Sequence, residues 1–157
     1  MPRRIYHPRV PPTKLDHLLA HPFEIPLAVV GLAASAGILA AETTPLFAVS
    51  ESVAALHGLV AWTIGILGIP GHVLILRGLL DDNPDLMVGW RRERYGLILA
   101  GSAWLLYACG VAWVHPQAAV SYGFAGGIVT AMALRLAATY AEERSTRAVI
   151  AAHKEAA

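Results

Sequence analysis

The chain has 157 residues, 56% of them hydrophobic and 15% charged, with a formal net charge of +1. An average soluble domain is ~25% charged, and a short soluble chain needs charge to cover its large surface share, so an ordinary soluble domain is excluded. The near-zero net charge points to no nucleic-acid partner, and the single cysteine, Cys109, rules out an intrachain disulfide and a cysteine-based metal site.

Residues 1–22, "MPRRIYHPRVPPTKLDHLLAHP", hold five of the ten prolines. Proline blocks helix interiors, so this stretch reads as an extended cytosolic arm whose bases face anionic lipid headgroups. Four runs without Asp, Glu, Lys or Arg follow, at 25–41, 53–76, 95–114 and 118–134. A bilayer core of ~30 Å takes about 20 apolar residues per helix. With flanking residues the runs predict spans at about 25–42, 53–79, 95–114 and 118–138, within a membrane domain over 23–141. A cleaved leader ending near "GILAAETT" is the rival reading of the first run. The stretch "DDNPDLMVGWRRERYG" reads as a loop, "HPQ" as a tight turn between spans three and four, and 142–157 as a helical cytosolic tail. In that tail Glu143 and Arg147 have the spacing of a favourable i,i+4 pair.

All twelve bases fall in three places: Arg3, Arg4, Arg9 and Lys14 before span one; Arg77, Arg91, Arg92 and Arg94 between spans two and three; Arg135, Arg144, Arg147 and Lys154 at the end of span four or beyond. Basic residues are retained on the cytosolic side during insertion. The pattern predicts an all-α integral membrane four-helix bundle with both termini cytoplasmic. Arg135 reads as a side chain snorkelling to the headgroups, and Arg91, Arg92 and Arg94 as contacts to anionic lipid or a protein partner.

Span two carries "GIPGH". Pro70 leaves the carbonyl of Ile66 without a helical donor, a break tolerated where neighbouring helices or water re-satisfy the backbone. Gly68, Pro70, Gly71 and His72 are therefore hinge or pore candidates, against the plainer reading of a packing kink. Small residues let helices approach closely in lipid: Gly65 with Gly68 and Gly71 in span two, Gly123 and Gly127 in span four, Ala33 and Gly37 in span one. Haem or quinone binding has one geometric opening. His57 and His72 lie about 22 Å apart on one helix and cannot share one iron, whereas His57 and His115, at the outer side of spans two and three, are one possible pair. No paired carboxylates, nucleophile–base pair or phosphate-binding loop suggests catalysis. No cofactor is expected.

"RRERYGLILAGSAWLLYACGVAW", residues 91–113, with a charged "ER" turn, Gly-Leu and a Trp-Leu-x-Tyr-Ala core, resembles small four-span membrane proteins of tailed phages of actinobacteria, commonly assigned as holins. The resemblance covers about 25 residues and otherwise only the architecture. It implies a homo-oligomeric protein of the bacterial inner membrane that permeabilises it during lysis. The alternatives are a non-enzymatic anchor or exclusion factor binding a protein partner at the cytosolic face, and a haem- or quinone-binding subunit.

Overall fold

The computed structural model describes residues 21–44, 58–80 and 86–155. These form four helices: α1 (Glu24–Thr43), α2 (Gly58–Leu79), α3 (Leu86–Val114) and α4 (Ala119–Glu155). All four are long and apolar enough to cross a membrane. The described protein is all-α, an architecture compatible with a multi-pass membrane protein. Most of the arm read at 1–22 and the start of the span read at 53–79 lie outside the described residues.

Helix ends follow local chemistry. At the end of α1 the Thr44 amide donates to the Ala40 carbonyl at 2.8 Å, and the Thr43 hydroxyl caps the Leu39 and Ala40 carbonyls. Pro116 cannot donate a backbone hydrogen bond, and α3 stops just before it. The chain turns there, with the Ala118 amide on the His115 carbonyl at 2.9 Å and the Tyr122 hydroxyl donating to the Pro116 carbonyl at 3.2 Å.

One boundary differs from the sequence reading. α3 begins at Leu86, so the "RRER" stretch taken for loop is helical. Beyond Pro84 no residue forbids helix, and Gly78 of α2 gives that first part of α3 a seat: a Cβ there would lie 2.8 Å from the Glu93 amide nitrogen and from the Gly89 carbonyl oxygen. α4 runs unbroken for 37 residues, joining the fourth span and the tail into one helix. At 1.5 Å per residue it is about 55 Å long, well beyond a ~30 Å hydrocarbon core.

The helices pack in series. α2 lies on both α1 and α3, α4 lies on α3, and α1 and α4 scarcely touch. The four-helix arrangement is thus open along its α1–α4 side. Two ladders of small residues hold the centre. Gly31, Ser35 and Leu39 of α1 meet His72, Gly68 and Gly65 of α2, while Gly71 and Ile75 of α2 meet Ala100 and Gly96 of α3. The apolar core follows the same axis, with Ile75 and Leu79 beside Leu97 and Ala100 at one end and Ile64 beside Ala103 and Val111 further along. The Ala33–Gly37 pair expected on α1 is replaced by Gly31 and Ser35, because α1 presents that face to α2; a Cβ at Gly37 would meet nothing within 4 Å.

Candidate functional site

His72 sits at the contact of three helices and is fully buried. Its Nδ1–H donates to the Gly68 carbonyl at 2.6 Å, and its Nε2 accepts from the Trp104 indole N–H at 3.4 Å. Only the neutral Nδ1–H tautomer satisfies both contacts. Gly31 makes the space: a Cβ there would lie 2.5 Å from His72 Cδ2. Ser35, also buried, donates to the Gly31 carbonyl at 2.8 Å and packs on Gly68. Trp104 meets Tyr107 edge to face, with centroids 5.9 Å apart. The cavity between Ser35, Trp104 and Tyr107 measures about 10 Å³, room for one water at most.

The four hinge or pore candidates do not share a face. Gly68, Gly71 and His72 point inward, while Pro70 is exposed on the opposite side of a continuous α2. The imidazole and the proline are neighbours in sequence only. Gly65 is likewise buried, against Leu39.

Gly123 and Gly127 behave differently. Both are exposed, and a Cβ at either would meet nothing within 4 Å. Phe124 and Val120 beside them are exposed as well. This stripe closes no contact within the described chain.

Charge gathers where α1 begins, α2 ends and α3 begins. Glu93 is only 2% exposed and accepts from Arg135 Nε at 2.7 Å; Arg135 Nη1 also lies 3.9 Å from Glu142. Arg94 pairs with Glu143, which also takes Arg147, four residues further along α4. The Arg94 guanidinium stacks over Tyr140 at 4.4 Å. Of the three arginines read as lipid or partner contacts, Arg94 is therefore engaged inside the chain. Arg91 is exposed, and Arg92 borders a surface hollow shared with Arg77. Arg135, read as snorkelling, is held by Glu93. Sequence reasoning passed over Glu93, Arg135 and Trp104 as a set. The available signal was one glutamate inside an arginine cluster and, late in an apolar run, an arginine with no counter-charge within six residues in sequence.

Beside the Glu93–Arg135 pair, the gap between α1 and α4 forms a cleft of about 230 Å³. Leu27 and Ala28 make one wall, Ala131 and Met132 the other, and Ile75 and Leu97 the floor. Glu24, Glu93 and Arg135 line its polar end, with Phe23 at the mouth.

Of the haem pair considered, His57 lies outside the described residues. His115 is in the α3–α4 turn, its Nδ1 3.5 Å from Gln117 Nε2, its Nε2 buried with no partner among the described residues. Comparison of the chain with family models, curated proteins and solved structures found no match.

Proposed function

We propose that this chain is a non-enzymatic, multi-pass protein of the bacterial inner membrane, of phage origin and holin type, which self-associates and permeabilises that membrane during lysis. Both ends lie in the cytoplasm in this reading, because the retained bases demand it. The observation that carries it is the outward Gly123–Gly127 stripe. Helices in lipid associate by close backbone approach at small residues, and this stripe is left vacant, as is Gly37 of α1, while Gly31, Gly65, Gly68, Gly71 and Gly96 are each met by a neighbouring helix. The centre is tightly packed, with room for no more than a water between Ser35 and Trp104, and in this reading any conducting path runs between copies of the chain.

Induction in a bacterium while recording membrane potential tests the proposal. The wild type collapses the potential. Gly123→Ile with Gly127→Ile inserts to the same level and delays or abolishes the collapse. An unchanged potential at high wild-type abundance overturns the reading.

A second reading, a scaffold that binds a soluble partner, draws on the length of α4. The helix continues 20 residues past Arg135 to Glu155, and its first turns there are braced on α3 through Glu143. A stoichiometric soluble partner that co-purifies with the wild type and is lost on removal of residues 148–157 favours it.

A further inference from the structure

We infer that the cleft between α1 and α4 is a binding site for a small hydrophobic cation, an organic ammonium ion with one ring or one short chain. The inference is independent of the permeabilisation reading. It stands on shape and on charge.

The walls and floor are apolar, and the cleft measures about 230 Å³. An apolar cavity of about 150 Å³ holds a benzene molecule, so this one takes a substituted ring and is too small for a two-chain lipid. The gap exists because α1 and α4 each pack on their sequence neighbour and scarcely on each other.

The charge at the polar end is unbalanced. Glu24, Glu93 and Arg135 line it. Arg135 spends Nε on Glu93 and lies near Glu142, with Glu24 also in electrostatic range. One guanidinium thus faces three carboxylates. Glu24 is only partly exposed and, among the described residues, its other charge contact is His21, at 3.9 Å. A bound ammonium group balances the extra carboxylate among the described lining residues, whereas a phosphate or sulfonate adds to that excess of negative charge. Phe23 at the mouth adds an aromatic face of the kind that attracts ammonium groups.

Benzyltrimethylammonium is the probe, titrated calorimetrically against the full-length chain in uncharged maltoside micelles, with benzenesulfonate as the ring-matched anion. The wild type binds the cation saturably and the sulfonate at least tenfold more weakly. Glu24→Gln removes one partly exposed carboxylate and weakens the cation about fivefold. Ala131→Trp fills the cleft from an exposed position and abolishes binding. Circular dichroism and a monodisperse elution profile establish that both variants are folded. The proposal is overturned if the folded wild type shows no saturable cation binding, if the sulfonate binds equally well, or if binding survives both substitutions.

Discussion

Glu93 and Arg135 form a charge pair largely removed from water where α3 and α4 pack together. Taking both charges out of water is costly, and their attraction compensates only while both are present. Replacing one leaves the other buried and uncompensated. Glu93→Met or Arg135→Met alone is therefore expected to cost about 3–5 kcal/mol, and the double variant to recover most of that loss. Unfolding in mixed micelles measures it. Losses that simply add would mean the pair is not coupled. His72 shows the complementary case of a buried polar ring with both nitrogens satisfied, by Gly68 on its own helix and Trp104 on α3. An ionisable residue and a proline stand close in sequence on different faces: His72 is inward and hydrogen-bonded, and Pro70 is outward and exposed.

At the scale of the helices, the glycines divide into two functional sets. A Cβ at Gly71 would fall 2.5 Å from the Ala100 amide nitrogen, and one at Gly96 would fall 2.6 Å from the Gly71 carbonyl oxygen. Backbone cannot yield as a flexible side chain does. Gly71→Ala and Gly96→Ala should each destabilise the α2–α3 contact by roughly 1–3 kcal/mol. Gly123→Ala and Gly127→Ala meet open space and remove a conformationally costly glycine from a helix, so they should stabilise the monomer by up to about 1 kcal/mol. Equilibrium unfolding of all four variants separates the sets. Equal destabilisation by Gly127→Ala would show that the Gly123–Gly127 face of α4 also packs within the monomer.

Across the molecule, charge and helix direction agree. The arginines of the α2 C-terminus, the α3 N-terminus and the second half of α4 gather at one end, where Glu93 pairs with Arg135 and Glu143 with Arg94 and Arg147. The α3–α4 turn lies at the other end. With Cys109 replaced by alanine, a cysteine at Gln117 should react with an impermeant maleimide in intact cells, and one at Arg147 should react only after lysis. The reverse pattern would invert the topology.

Much of this architecture was readable before any coordinates. The uncharged runs specified four apolar helices, and the confinement of the bases to three segments specified which ends belong together. Both are properties of residues acting one at a time, since each side chain partitions between lipid and water largely on its own account. The "HPQ" turn is equally local, as is the approach of Arg147 to Glu143 along one helix. What the tertiary structure decided is pairwise. Whether Gly37 or Gly31 faces a neighbour, whether Gly127 is filled or vacant, and whether Arg135 meets headgroups or Glu93 all depend on how each helix is rotated and which helix lies beside it. The sequence carries no mark of that, because a small residue or an arginine looks the same on either face. The serial order of the helices, and the cleft it leaves between the first and the last, exist only once those rotations are set by close packing.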